Sequence, residues 1–191
     1  LKGGTAINLF VRPLPRLSVD IDLTYLPIAD RAASLAAIDA AMQRIAKRIR
    51  AGIPNARVLA TQLADEGATT KLVIRVDAAQ IKIEVTPVLR GTVYDPVAMA
   101  VVPEVEDAFG FAETQLVSFP DLFAGKIVAA MDRQHPRDLF DVRDLLAHEG
   151  ISDDLRRAFI VYLIAIIAPW WRCLLPPASR SPLNLPEALK A

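Results

Sequence analysis

Cysteine is almost absent from this chain of 191 residues, where Cys173 stands alone. An internal disulfide is therefore excluded, and a reducing compartment, the cytoplasm, is the expected location. Histidine is nearly as scarce. His135 and His148 cannot by themselves make a zinc site, so any metal would be a hard cation held by oxygens. Net charge is missing too, because 22 Lys and Arg balance 22 Asp and Glu. No global basic excess advertises nucleic acid, and such a contact would have to rest on a local patch. Long apolar runs are also lacking. The strongest, AFIVYLIAIIAPWW at 158–171, is shorter than the ~20 residues a bilayer span needs, and Pro169 interrupts its end. It reads as a buried core helix, and no membrane association is expected.

Apolar residues make up 53% of the chain and charged ones 23%, the composition of a globular protein with a real core. The sequence opens LKGGTAINLFVRPLPRLSVDIDLTYL. Leu1 and Lys2 read as the end of a strand, so an upstream segment is expected; no signal peptide precedes the first motif. Gly3 and Gly4 turn the chain into a helix running to about Val11, which Pro13 and Pro15 forbid to continue. The next stretch alternates as a strand, with Val19, Ile21 and Leu23 on one side and Ser18, Asp20 and Asp22 on the other. Residues 30–51 have helical periodicity and end at Gly52 and Pro54. β-Branched runs at 56–62, 71–77 and 80–88 read as strands, the last two a hairpin. After Pro103 the sequence becomes acidic and loop-like. Ser118-Phe119-Pro120-Asp121 has the spacing of a capping box and predicts a helix from about 119 to 131. Further helices are expected from Pro136 to before Gly150, and after Ser152 across the apolar run. From Leu174 the Pro-rich tail reads as irregular. The expected architecture is α+β, with a mixed sheet flanked by helices in residues 1–115 and a mostly helical region in 116–191.

Three features carry chemistry. A Gly-Gly-Thr turn lets backbone approach a ligand closely and offers free N–H groups to phosphate, although such turns are often purely structural. Fifteen residues on, Asp20 and Asp22 project from one strand face, where their charges repel. A divalent cation resolves that repulsion, and Mg²⁺ favours such carboxylates together with water and substrate phosphates. In IKIEV, Glu84 faces away from the core and either completes a three-carboxylate metal set with Asp20 and Asp22 or forms an ordinary Lys/Glu pair on a wet face. Arg44, Lys47, Arg48 and Arg50 form a basic stripe that reads as a solvated face or an RNA contact.

GGTAINLF followed by RLSVDIDL resembles the signature of the nucleotidyltransferase superfamily, which includes DNA polymerase beta and aminoglycoside nucleotidyltransferases. Lys2 ahead of the glycines and Arg16-x-Ser18 ahead of the acids are similar to the AbiEii/AbiGii toxin family. The helix around Lys126 and the stretch DRQHPRDLFDVRDLL resemble that family's Lys-bearing helix and Arg-Asp-x-x-Asp block. The resemblance implies a nucleotidyltransferase-type sheet and transfer of a nucleotide from an NTP to an acceptor. Gly3, Gly4, Thr5 and Ser18 would bind the nucleotide, and Asp20, Asp22 and Glu84 would hold Mg²⁺. Lys126 would stabilise the leaving pyrophosphate, with Asp138 and Asp141, three apart on one helical face, orienting it. It further implies the toxin of a type IV toxin–antitoxin or phage-defence pair, with a cognate antitoxin as partner and the 3′ end of tRNA as a possible acceptor. A small-molecule or protein nucleotidyltransferase would share all of these residues, and a degenerate, non-catalytic binding module would keep the fold alone.

Overall fold

The computed structural model describes residues 1–18, 20–87 and 90–174, with residues 167–174 described as backbone only. The expected irregular tail lies outside the described residues, as do the side chains of Trp170 and Trp171.

The chain starts as expected but in two pieces. A short α1 (Gly3–Ala6) runs directly into a π-helical turn (Ile7–Val11), and the chain leaves it toward Pro13. The long strand expected at 17–26 shrinks to β1 (Ile21–Leu23), so Asp20 sits just before the strand. β1 lies at the edge; among the described residues its one strand partner is β4, which ends at Val85, and Lys2 adds an isolated bridge to Asp22. The remaining strands of this sheet, β2 (Arg57–Gln62), β3 (Thr69–Val76) and β4 (Ala79–Val85), follow the β-branched runs closely. Sheet order is β1-β4-β3-β2, with β1 parallel to β4 and the other pairs antiparallel. The β3–β4 hairpin turns at Asp77, which takes a left-handed φ of 49°.

Alternation gives the sheet two unlike faces. Leu72, Ile74, Ile83 and Val85 pack on Ile38, Met42 and Ala46 of α2 (Arg31–Gly52). Asp30 caps that helix by accepting from the Ala33 N–H at 2.8 Å. The stripe at Arg44, Lys47, Arg48 and Arg50 is exposed, and Arg50 donates to the Val58 carbonyl at 3.0 Å. The opposite sheet face bears Asp22, Lys82, Glu84 and Lys71.

The stretch after Pro103 departs from the expected loop, and with residues 97–102 it is ordered. Together they form a two-stranded antiparallel sheet of β5 (Val97–Ala100) and β6 (Glu113–Leu116), joined through α3 (Pro103–Phe109). Pro103 at the start and Glu104 and Glu106 in the first turn favour a helix N-terminus, so the acidic run is helical.

The helical region contains α4 (Phe119–Arg133), α5 (Pro136–His148) and α6 (Asp153–Leu174). Ser118 caps α4, its hydroxyl accepting from the Asp121 N–H at 3.1 Å and donating to the Asp121 carboxylate at 2.6 Å. Asp121 is buried and also accepts from Val93 N, Tyr94 N and the Tyr162 hydroxyl, tying α4 to the 93–94 loop and α6. A second core joins Ala6, Ile7 and Phe10 to Leu116, Phe123, Leu145, Leu155 and Ala158. The opening turn is thus packed on the helical region, while its neighbour β1 belongs to the sheet. α6 is less buried than a core helix. Ala158 is fully enclosed, but Ile160, Val161 and Ile164 are about half exposed. Among the described residues no helix is long and apolar enough to cross a membrane.

Candidate active site

The charged sheet face is built by register. Asp22 on β1 pairs directly with Glu84 on β4, and Glu84 pairs in turn with Lys71 on β3. The Lys82 ammonium, on the same face of β4, lies 2.6 Å from Oδ2 of Asp20, which brings Asp20 onto this wall. Lys71 reaches Glu84 at 3.6 Å. Lys2 joins from the side, its N–H donating to the Asp22 carbonyl at 2.8 Å. Burial pushes the Asp22 carboxyl above its usual range; Lys2 pulls it back, while Glu84 and Asp20 push it further. Burial likewise pushes the Lys2 ammonium down against the pull of Asp22 and Glu84. The Asp20 hydrogen bond holds the Lys82 proton more tightly than usual.

The glycine turn explains how α1 fits against this wall. Gly3 has φ +77°, and a Cβ there would lie 2.3 Å from Oδ2 of Asp22. At Gly4 a Cβ would meet the Ser18 hydroxyl at 2.6 Å and the Arg16 guanidinium at 2.8 Å. The two glycines therefore make room for the side chains of the motif downstream. Thr5 is buried and spends its hydroxyl on the Asp20 carbonyl, with the Ser18 hydroxyl 3.3 Å away. Within the chain, then, Thr5 acts on the placement of Asp20.

A second set of charges lies behind. The Lys126 ammonium is 7% exposed and sits 2.8 Å from Asp138 and 3.1 Å from Asp141, both 2% exposed. That burial excludes a solvated surface lysine, and the ion pairs of Asp138 run from this buried Lys126 to the largely exposed Arg133. Asp141 also accepts twice from Arg16, and Asp138 accepts from Arg133 at 2.6 Å. Burial alone would push the Asp138 carboxyl up, but the hydrogen bonds from Arg133 and Lys126 outweigh it and hold the group at about 2. Lys126 is near enough to lower the Asp22 carboxyl and Asp22 to raise the Arg133 guanidinium, so the two charge sets share one field.

The structure therefore brings Gly3, Gly4, Asp20, Asp22 and Glu84 together, with Thr5 and Ser18 beneath them and Lys126, Asp138 and Asp141 alongside. Three participants escape a reading of sequence alone. Arg16 stands in the motif but its partner is 125 positions away. Asn8, fully buried in the π turn, donates to the Gly4 carbonyl at 2.6 Å and accepts from the Arg16 N–H at 3.2 Å. Its signal is a lone amide in the apolar run AINLFV. Lys82 looks like a solvated charge until its partner is seen. Asp144, on the outer side of the α5 charges, pairs loosely with Arg12 at 3.9 Å.

Three carboxylates share this face without closing on one point: among the described residues no group of three Asp, Glu, His or Cys side chains is gathered tightly enough to hold a metal. Mg²⁺ asks for less, one or two carboxylates with phosphate oxygens and water completing its octahedron. Asp20 and Asp22 fit that requirement, and the raised Asp22 carboxyl is a group that a cation would relieve.

A sequence model of a family described as nucleotidyl transferase AbiEii toxin, type IV toxin–antitoxin system, matches residues 1–188. No curated protein matches the sequence. In three dimensions the chain is similar to MenT4, a nucleotidyltransferase toxin from Mycobacterium tuberculosis H37Rv, with a TM-score of 0.64 at 16% identity. The match covers 95% of this chain and 63% of that one, so the likeness is one of fold over part of a longer protein.

Proposed function

The chain belongs to the AbiEii nucleotidyltransferase toxin family, and from that premise we propose that it transfers a nucleotide from an NTP to an acceptor hydroxyl in a Mg²⁺-dependent reaction. The observation that carries this reading is the in-register pair Asp22 and Glu84, set against Gly3 with the buried Lys126 beside them. Bound by Asp20 and Asp22, Mg²⁺ would supply charge neutralisation for the triphosphate. Gly3, Gly4 and Thr5 form the turn over which the triphosphate lies, with the Ser18 hydroxyl beside it. Glu84, partly exposed, takes the proton of the acceptor hydroxyl as its oxygen bonds to the α-phosphorus and the bond to pyrophosphate breaks. Lys126 offers the departing pyrophosphate a fixed positive charge, and Asp138 and Asp141 hold that ammonium in place. Residues 116–191 would thus complete a site begun in residues 1–115.

In a cell this activity would serve as the toxin of a type IV toxin–antitoxin or phage-defence pair, acting in the cytoplasm on RNA such as a tRNA 3′ end and opposed by an antitoxin protein. The lysines on the wall favour one rival. A module whose carboxylates are satisfied by Lys82 and Lys71 could bind a partner without catalysis.

Incubation with each labelled NTP, Mg²⁺ and separate RNA, protein and small-molecule fractions tests the reading. Label should enter one fraction, and Asp22→Asn should abolish that transfer by orders of magnitude while leaving the melting temperature equal or higher. An Asp22→Asn variant that still transfers ends the metal-based reading. Absence of NTP binding in the presence of Mg²⁺ leaves the binding module.

A further inference from the structure

Each carboxylate of the charged sheet face has a lysine of its own. Lys71 stands 3.6 Å from Glu84, and Lys2 is the strongest cationic influence on Asp22. The Lys82–Asp20 contact is the short one, at 2.6 Å. These two side chains are 37% and 39% exposed, so charge holds them together and packing does not. The pair can open without disturbing the core. Asp20 itself is fixed at its backbone, where its carbonyl accepts from the buried Thr5 hydroxyl.

A divalent ion that takes Asp20 as a ligand meets this ammonium at the same carboxylate. Two cations in contact with one carboxylate repel each other strongly where part of the surrounding water is excluded. We infer that Lys82 is a positioning residue that occupies Asp20 until a divalent ion replaces it, and so sets the ion concentration at which the site fills. The inference rests on the metal-dependent reading above. Once displaced, the ammonium remains on β4 beside the site, where the phosphate oxygens of an NTP offer it a new partner. Ion binding alone therefore forfeits an ion pair, whereas ion binding with nucleotide exchanges it for another.

Calorimetric titration of the full chain with Mn²⁺ in the absence of nucleotide tests this. Lys82→Met and Lys82→Gln should each bind Mn²⁺ roughly fivefold more tightly than wild type, the order expected when a partly exposed ion pair no longer competes. Lys82→Arg, which keeps the charge, should stay within about twofold of wild type, since a partly exposed pair contributes little either way. A non-hydrolysable NTP should narrow the gap between wild type and the neutral variants. A purely structural Lys82 would change the melting temperature and leave Mn²⁺ affinity alone. Neutral variants with unchanged or weaker Mn²⁺ binding, alongside a wild type whose binding disappears in Asp22→Asn, overturn the role of Lys82 only. A wild type that binds no Mn²⁺, or an Asp22→Asn variant that binds it equally well, overturns the metal reading and this inference with it.

Discussion

Arg16 holds Asp141 with two hydrogen bonds, from Nε to Oδ1 at 2.9 Å and from a terminal guanidinium nitrogen to Oδ2 at 2.5 Å. The fork-to-carboxylate match is one that only Arg provides. It fastens the segment leading into Asp20 onto α5, which also carries the partners of Lys126. Placement of Asp20 and Asp22 and of the buried lysine is thereby one mechanical problem.

Removing the acid tests that coupling. Asp141→Asn leaves Arg16 and Lys126 facing a neutral amide in a site where Asp141 is 2% exposed. Breaking a buried pair by deleting one partner costs about 3–5 kcal/mol, and unfolding in denaturant should reveal a loss of that order. Arg16→Lys keeps a charge but loses the fork, so it should cost less stability than Asp141→Asn. A loss below about 0.5 kcal/mol for Asp141→Asn would mean that the pair is as weak as an exposed one.

Asp138 gives the protein an acid-sensitive step. Its carboxyl is held at about 2, below the ordinary value of 3.8. A depressed carboxyl stabilises the fold above its unfolded pKa, and that contribution disappears as pH falls through the folded value. The window is therefore pH 4 down to pH 2, and the amount is about 2 kcal/mol, by order of magnitude. Melting temperatures measured across that window should fall more steeply for wild type than for Asp138→Asn, which has no proton to take up there. Parallel slopes would remove Asp138 from the account.

Local features of the site were legible in the sequence and distant ones were not. The alternation that puts Asp22 and Glu84 on one side needs only strand phase, whereas Asp20, just outside β1, meets the wall through Lys82. Lys126 and the 138/141 pair were readable through the resemblance and helical spacing. That Lys126 is buried was not, because it depends on α5 bringing Asp138 and Asp141 onto the ammonium and on Arg16 reaching Asp141 across 125 positions. The alternating stretch at 17–26 suggested ten residues of strand, but an edge position with one strand partner sustains three. β5 and β6 are four residues each, too short for periodicity to register. In α6 an apolar run proved compatible with half-exposed Ile160, Val161 and Ile164, since hydrophobicity does not say which face meets the core.

Gly3 and Asp22 provide the sharpest separation of a backbone effect from a side-chain one. Gly3 takes φ +77°, a conformation that costs a residue with a Cβ about 1–2 kcal/mol. Independently, the added Cβ would stand 2.3 Å from Oδ2 and 3.2 Å from Cγ of Asp22, so the carboxylate must move. Gly3→Ala should therefore cost roughly 2–4 kcal/mol in total, the backbone part plus the overpacking part. In an Asp22→Ala background the carboxylate is gone and only the residue-22 Cβ, 3.2 Å away, stays tight, so the same substitution should cost nearer the ~1–2 kcal/mol of the backbone part. A double-mutant cycle on unfolding free energy measures the difference directly. Gly4→Ala is the control for Asp22: its obstacles are the Ser18 hydroxyl and the Arg16 guanidinium that holds Asp141, so whatever it costs should not depend on Asp22. Equal costs for Gly3→Ala in both backgrounds would mean that Gly3 serves the turn alone. A clear coupling would mean that the missing Cβ is what allows α1 to sit against the Asp22 carboxylate, and that the glycine and the acid are two halves of one motif.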